Sequence, residues 1–143
     1  MKMIDFLDKG AAISPHGVCL HDDQHSYTYR EVVGWTNRVV RALREDGIGA
    51  GQRVAICSPN DVEAFITVLS LHRADCVWIV MNARNSLSDN IALLNKYQAE
   101  WLFYHSDIDA QLPDIVTLLR ASVVFHIVIV FWDAKLRRKR SAT

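Results

Sequence analysis

The sequence predicts an α/β protein with a parallel sheet and helices on both faces of that sheet. Short apolar segments alternate with helical patterns along the chain, as strands joined by crossover helices do. The segment from Cys76 to Met81 is apolar without alternation, which is typical of a strand covered on both faces. The 143 residues, 50% of them hydrophobic and 22% charged, suit one folded domain. We therefore expect a single domain over residues 1–132 and a disordered basic tail over residues 133–143.

Composition and charge argue against several classes of protein. Sixteen basic residues balance sixteen acidic ones, so no overall field attracts nucleic acid or an anionic membrane. Three cysteines without a CxxC pair argue against a disulfide framework or a zinc ribbon, and reduced thiols fit the cytoplasm. The longest apolar run, Val123 to Trp132, is shorter than the ~20 residues of a membrane-spanning helix. Asp5 and Asp8 interrupt the stretch that a signal peptide keeps apolar. These features predict a soluble cytoplasmic protein.

The first elements predicted are a hairpin and a long helix. Val18–Leu20 and Ser26–Tyr27 are expected to form two short strands around a polar turn. A helix is expected from about Tyr29 to Asp46, because Thr28 and Glu31 have the spacing of a capping box. The apolar face of this helix consists of Val32, Trp35, Val39 and Leu43.

Alternating strands and helices are predicted for the rest of the chain. A strand is expected over Arg53–Cys57, and then a helix to about Arg73 with Asn60 as its N-cap and Glu63 three residues later. The apolar face of that helix consists of Val62, Phe65, Ile66 and Leu69. The elements expected next are a strand over Cys76–Met81, a helix capped by Ser86 or Ser88 and bearing Ile91, Leu94 and Tyr97, a strand over Trp101–Tyr104, a weaker helix over Asp109–Arg120 and a strand over Val123–Trp132.

Two turns raise the question of nucleotide binding. In a dinucleotide fingerprint the glycines follow a strand and open a helix, whereas Gly47-Ile48-Gly49-Ala50-Gly51 follows a helix and precedes a strand. We interpret this segment as a helix-to-strand turn, with Gly47 as the helix cap. Ser58-Pro59-Asn60 follows a strand, at the end of the sheet where α/β proteins bind ligands, but it lacks glycines. A helix cap is the favoured interpretation, and a contribution to a ligand crevice is the alternative.

Histidine and cysteine side chains do not form a recognisable catalytic or metal site in the sequence. His16, His21, Asp22, Asp23 and His25 are dense, but they fall in a predicted turn without the spacing of a helical metal pair. We interpret them as a solvated turn. His72, His105 and His126 are scattered, and Cys57 and Cys76 are expected to be buried and inert. The prediction is that this chain has no catalytic, cofactor-binding or metal-binding residue.

The end of the chain combines an apolar strand with a basic run. Lys135 to Arg140 is interpreted as a solvated tail, with contact to nucleic acid or a membrane surface as the alternative. The strand Val123–Trp132 is apolar at nearly every position, so it is expected to leave an edge or a face open and to self-associate.

Residues from about Ser26 to Ser106 resemble the N-terminal region of the acyl-CoA synthetases, members of the adenylate-forming (AMP-binding) superfamily. Each matching stretch is similar to a family pattern, and the stretches occur in the same order. They are Tyr27-Thr28-Tyr29-Arg30-Glu31, Ala42-Leu43 with Gly47 to Ala55, Pro59-Asn60 with Glu63-Ala64-Phe65, and Leu71-His72-Arg73-Ala74 with Asn82-Ala83-Arg84-Asn85. Two departures occur, since Asp75 and Val80 stand where the family has glycine and proline.

The resemblance implies an enzyme that activates a carboxylic acid with Mg·ATP and transfers the acyl group from the adenylate to coenzyme A. The family's phosphate loop, adenine surface, ribose carboxylate and catalytic lysine lie beyond the matched region. The sequence has no Ser-Gly or Thr-Gly dipeptide, so no phosphate loop is present in any register. No family catalytic residue can be carried over to a position in this chain. We expect a truncated fragment of a fatty-acid or aryl-acid CoA ligase that is inactive alone and binds no cofactor.

Two alternatives belong to other classes. The first is a stand-alone α/β binding or oligomerisation module without catalytic activity. The second is a small flavodoxin-like enzyme, which no constellation of residues supports. The acid substrate and the role of the basic tail do not follow from the sequence.

Overall fold

The computed structural model describes residues 1–105, 113–114, 128–132 and 135–139. The chain divides into two compact units, one made of Met1–Gly51 and Asn60–Val77 and the other of Gln52–Pro59 and Trp78–Thr143. We call them the helical unit and the sheet unit. The elements, in chain order, are α1 (Met3–Ile13), β1 (Val18–His21), β2 (Ser26–Thr28), α2 (Tyr29–Glu45), β3 (Arg53–Cys57), α3 (Val62–Arg73), β4 (Val77–Met81), α4 (Leu87–Lys96), β5 (Trp101–His105), β6 (Val128–Trp132) and β7 (Lys135–Lys139). The prediction of one domain over residues 1–132 stays a prediction.

The sheet unit contains a five-stranded sheet with the order β4-β3-β5-β6-β7. Strand β3 pairs in parallel with β5, with Val54 opposite Trp101, and β5 pairs in parallel with β6. The predicted α/β class with a parallel sheet is therefore confirmed. The buried core of this unit consists of Ala55, Cys57, Ile79, Met81, Leu94, Ala99, Leu102 and Tyr104.

The helical unit packs α1, α2 and α3 around a second core. Its buried side chains are Ile4, Leu7, Val32, Val62, Ile66 and Leu69. Helix α1 is not predicted from the sequence. It buries Ile4 and Leu7, which are one turn apart, and the Asp5 carboxylate accepts the Lys2 backbone N–H at 2.7 Å, which stabilises the first turn.

Helix α2 begins at the predicted capping box. The Thr28 hydroxyl accepts the Glu31 N–H at 3.2 Å, and the Glu31 carboxylate accepts the Thr28 N–H at 2.7 Å. Both donors would otherwise lack a partner at the helix start. The helix ends before Gly47, whose φ of 80° lies in the left-handed region that glycine adopts without steric cost. The predicted helix and both of its ends are confirmed to within one residue.

Helix α3 differs from the prediction at its first turn and on its surface. Its N-cap is Asp61 rather than the expected Asn60, because the Asp61 carboxylate accepts the Ala64 N–H at 2.6 Å. Phe65 was expected on the apolar face, but its side chain is 44% exposed.

Strand β4 lies at one end of the sheet and is not covered on both faces as predicted. Val77 is 51% exposed and Val80 is 62% exposed. Burial alternates between Ile79, Val80 and Met81, so one face of this end strand is exposed and the prediction of two covered faces was wrong.

The last strands differ from the expected single apolar strand with an open edge. Of the segment 123–132, the structure describes β6, and residues 123–127 lie outside the described residues. Strand β6 pairs with β5 on one side and antiparallel with β7 on the other. Residues 135–139 thus form a strand, although a tail was expected, because a second strand satisfies the backbone groups along the edge of β6. Over residues 128–132 both edges of β6 are paired, so the expected open edge is not found there. Self-association through this strand stays a prediction.

Other predictions are confirmed or fall outside the described residues. Strands β1 and β2 form the expected antiparallel pair, and Ser86 caps α4 by accepting the Asp89 N–H at 3.2 Å. The helix expected over 109–120 is described only at residues 113 and 114, which are helical. Across the described residues no helix has the length and apolar character to cross a membrane.

Candidate functional site at the carboxyl edge of the sheet

The order of the strands creates a switch point at β3. The chain runs from β3 to β4 on one side and then to β5 on the other side of β3. In open parallel sheets, ligands bind in the crevice outside the carboxyl ends of the strands at such a point. Here β3 and β5 end side by side, with Cys57 opposite Tyr104. We call the residues that directly follow or end these strands the carboxyl edge: Ser58 and Pro59 after β3, Asn82 to Ser86 after β4, and His105 at the end of β5.

The floor of the carboxyl edge is apolar and chemically inert. Cys57 and Tyr104 are both completely buried. Burial raises the pKa of the Cys57 thiol to about 11, because a thiolate loses its hydration there. At neutral pH this thiol is protonated and therefore a poor nucleophile. The expectation that Cys57 is buried and unreactive agrees with this environment.

Polar groups follow β4, where an asparagine network holds the connection to α4. The Asn82 side chain accepts the Arg84 N–H at 2.9 Å, and the Asn82 carbonyl accepts the Asn85 N–H at 3.0 Å. From α4, the buried Asn90 donates to the same carbonyl and accepts from the Asn85 amide, both at 3.4 Å. Because Asn90 is only 1% exposed, its amide fixes the loop from within the unit.

The sequence did not single out this network. Two features of the sequence could have indicated the network. They are the polar residues that follow β4 and an asparagine on the buried face of α4, where apolar side chains are usual. The exposed Arg84 and the half-buried Asn85 are positioned by it at the strand ends. Amide and guanidinium groups in this place can donate hydrogen bonds to a polar or anionic ligand.

The segment Ser58-Pro59-Asn60 takes up the predicted position after β3, but it is not a helix cap. Ser58 is half-buried, and Pro59 and Asn60 are exposed. The cap is supplied by Asp61, so the favoured interpretation was wrong by one residue. The alternative, a contribution to a ligand crevice, agrees with the place of Ser58 and Pro59 at the carboxyl edge.

The glycine-rich turn is a helix-to-strand connection, as predicted. Gly47 and Gly51 both have a φ of 80°, and the turn joins α2 to β3. It therefore reaches the amino end of β3, opposite to the end where phosphates meet helix N-termini. The turn that leaves β3, at the opposite end of the strand, contains no glycine. That the chain holds no nucleotide phosphate stays a prediction.

The histidine-rich turn has a structural role in the hairpin. The Asp22 carboxylate accepts the backbone N–H of Gln24 at 2.8 Å and that of His25 at 2.7 Å. These two hydrogen bonds lower the pKa of Asp22. Among the described residues, no three His, Cys, Asp or Glu side chains lie close enough together to hold a metal ion. That this turn binds no metal stays a prediction.

The chain is an α/β protein with a switch point in its parallel sheet. The carboxyl edge at this point is the candidate place for a ligand. The sequence profile described as AMP-binding enzyme matches residues 7–140 of the chain. The chain therefore belongs to the AMP-binding enzyme family, as the resemblance implied.

Curated relatives fall into two groups. The chain is 28% identical over 105 residues to 3-oxocholest-4-en-26-oate–CoA ligase of Rhodococcus rhodochrous, covering 67% of this chain and 19% of that protein. It is 26% identical over 99 residues to pyochelin synthetase PchF of Pseudomonas aeruginosa, covering 68% of this chain and 6% of that protein. The chain thus corresponds to a small part of each relative.

Solved structures share the fold. The anthranilate CoA ligase AuaEII in complex with anthranoyl-AMP superposes with a TM-score of 0.84 at 16% identity, over 93% of this chain and 25% of that one. The N-terminal subdomain of Klebsiella oxytoca NpsA superposes with a TM-score of 0.70 at 24% identity, over 75% of this chain and 28% of that one. At these identities the likeness shows the fold alone, and the second structure is itself an N-terminal subdomain.

Proposed function

We propose that this chain is the N-terminal part of an ATP-dependent ligase that converts a carboxylic acid into an acyl-adenylate and then transfers the acyl group to a thiol. The observation that carries the proposal is the family match over residues 7–140. The place of the chain within the N-terminal part of longer relatives agrees with it. Reduced thiols at Cys19, Cys57 and Cys76 support a cytoplasmic location.

The 143 residues are proposed to supply scaffold rather than chemistry. Adenylation requires groups that hold the triphosphate and offset its charge, such as a phosphate loop with a lysine and Mg²⁺. The sequence contains no phosphate loop, and the described carboxyl edge presents Ser58, Asn82, Arg84 and Asn85 instead. Within a complete ligase, these residues would form one wall of the ligand crevice, with Asn90 holding the loop in place.

Coenzyme A is the proposed thiol acceptor. The similarity to the R. rhodochrous CoA ligase supports this choice. PchF is named a pyochelin synthetase and not a CoA ligase, so its similarity favours an acceptor other than free coenzyme A as the alternative. Acyl transfer to free coenzyme A by a complete gene product that forms the adenylate distinguishes the two.

Calorimetry with Mg·ATP tests whether the carboxyl edge of the 143-residue chain holds a nucleotide. We expect no binding tighter than about 1 mM, or roughly 4 kcal/mol, that depends on Arg84 at this edge. A tighter dissociation constant that is weakened by Arg84→Gln and left unchanged by Arg38→Gln would show that the carboxyl edge holds a nucleotide. That result would overturn the scaffold proposal.

The coding sequence around this segment tests the parent activity. We expect a region that encodes a Ser/Thr/Gly-rich phosphate loop downstream of codon 143, in one of the three frames. A stop codon followed by unrelated sequence would instead favour the alternative of a non-catalytic α/β binding module.

A further inference from the structure

A cavity of about 650 Å³ lies in the helical unit. Its lining is mostly one face of α2, because positions 37, 40, 41 and 44 are separated by three and four residues. Val40 is buried and provides an apolar floor. The lining residues are Asn37, Val40, Arg41, Arg44, Glu45 and Arg73. We call this space the arginine cavity.

Arg73 is held firmly at the wall of the arginine cavity. Its guanidinium donates to the Asp8 carboxylate at 2.5 and 3.0 Å and to the Thr36 hydroxyl at 3.2 Å. Only 20% of the Arg73 side chain is exposed. A guanidinium has five N–H groups, so this anchored side chain keeps donors available. Little rotamer entropy would be lost if they bound a ligand.

Of the other two arginines that line the cavity, only Arg44 carries a charge that the described residues do not neutralise. Arg41 pairs with Glu45 at 3.2 Å, whereas the Arg44 guanidinium has no hydrogen-bond or ion-pair partner within the described part of the chain. Asp8 offsets the charge of Arg73 and Glu45 offsets that of Arg41, so the cavity keeps one net positive charge, which is that of Arg44. A cation in the last turn of a helix is also favoured by the helix dipole, which accounts for Arg44 alone. It does not account for Arg73, which belongs to a different helix and lines the same space.

We propose that the arginine cavity binds an organic anion that carries two or more oxyanion charges. The planar guanidinium fork matches the geometry of carboxylate and phosphate oxygens. The volume is that of a small-molecule site rather than of a single inorganic ion, and Val40 offers a surface for an aliphatic part of the ligand. Arg44 supplies the net charge and Arg73 supplies further N–H donors, so an anion with more than one oxyanion group can contact both guanidinium groups. This site is separate from the acid-activating function and does not depend on it.

Calorimetric titration of the full chain with pyrophosphate and with citrate tests the site, at about 50 mM salt where exposed charges are only partly screened. We expect a dissociation constant below about 1 mM for at least one of the two probes. Tighter binding of pyrophosphate would identify a phosphate ligand, and tighter binding of citrate would identify a carboxylate ligand. Acetate, with one charge, should bind more weakly than either.

The variant Arg44→Gln should weaken binding by about tenfold, because it removes a charged hydrogen-bond donor to the anion. It leaves the contacts of Arg73 with Asp8 and Thr36 intact. Arg38→Gln is the matched control, since it removes the same charge from α2 outside the cavity and should change affinity by less than about twofold. Circular dichroism of both variants checks the fold. The proposal is overturned by equal losses in the two variants, by unchanged binding in Arg44→Gln, or by no binding of either probe at about 10 mM.

Discussion

The guanidinium of Arg73 at the end of α3 holds the carboxylate of Asp8 on α1 through two hydrogen bonds of 2.5 and 3.0 Å. Arg73 also donates to Thr36 on α2, so one side chain links three helices of the helical unit. Since Asp8 is separated from Arg73 by 65 positions, this contact fixes tertiary structure rather than local conformation. The same contact holds one wall of the arginine cavity in place.

Replacement of Asp8 should loosen the attachment of α1. We expect Asp8→Ala to lower the free energy of unfolding by about 1 kcal/mol, a value already reduced for solvent screening of a partly exposed pair. Asp23→Ala, in the exposed hairpin turn, removes the same charge and should change stability by less than about 0.5 kcal/mol. Urea denaturation measures both. Equal effects of the two substitutions would mean that the Arg73–Asp8 pair contributes nothing specific.

Two glycines should respond in opposite ways to substitution by alanine. A Cβ at Gly10 would lie 2.3 Å from Cε1 of Tyr29, so Gly10→Ala should destabilise the helical unit by roughly 1–3 kcal/mol. A Cβ at Gly34, inside α2, meets only Arg38 Nη1 at 3.6 Å. Gly34→Ala should therefore stabilise by about 0.5–1 kcal/mol through helix propensity. Thermal unfolding of the two variants measures the signs, and a Gly10→Ala variant at least as stable as the unsubstituted chain would refute the packing of α1 on Tyr29.

Asp75 occupies a backbone conformation that favours glycine. Its φ is 59°, and its exposed carboxylate forms an ion pair with Lys2. Both Asp75→Gly and Asp75→Ala remove the ion pair, so the difference in stability between the two variants reports the cost of the backbone conformation alone. We expect the glycine variant to be more stable than the alanine variant by about 1 kcal/mol, because alanine is strained in the left-handed region. Equal midpoints of denaturation would indicate a different backbone at this position.

The capping box should make the helical unit sensitive to acid. Hydrogen bonds from the Thr28 backbone N–H and hydroxyl lower the pKa of Glu31. A carboxyl whose pKa is lower in the folded state stabilises the fold above its unfolded pKa of about 4.3, and this contribution is lost as the pH falls through the folded pKa. An NMR titration of the Glu31 carboxyl should give a pKa below its ordinary value. Thr28→Ala keeps the backbone N–H and removes only the hydroxyl, so it should return the pKa part of the way toward that value. A Glu31 pKa at or above its ordinary value in the unsubstituted chain would show that the box is not formed.

Local features of the fold were predictable from the sequence. The capping box at Thr28 and Glu31 depends on residues only three positions apart, and the turn at Gly47 depends on a single glycine. A short sequence pattern is therefore enough to predict both. The N-cap of α3 was misplaced because Asn60 and Asp61 are adjacent and both suit an N-cap, and the choice depends on backbone geometry.

Features that depend on distant partners were not predictable. Helix α1 gains its stability from burying Ile4 and Leu7 against residues of α2 and α3, which a short local pattern does not reveal. Strand β7 is rich in lysine and arginine, and only its pairing with β6 makes it a strand. At the candidate site, the sequence indicated the strand end at Ser58 and Pro59, but the network around Asn90 requires the fold to bring α4 and the loop together.

The activity proposed for the ligase to which this chain belongs is the formation of an acyl-adenylate. This step is reversible, so ATP–pyrophosphate exchange by the complete gene product measures it, with a panel of aliphatic and aromatic carboxylic acids. We expect exchange that requires both Mg²⁺ and one class of acid, and we expect none from the 143-residue chain alone. Absence of acid-dependent exchange in a folded complete product, with every acid of the panel, would rule out the proposed activity.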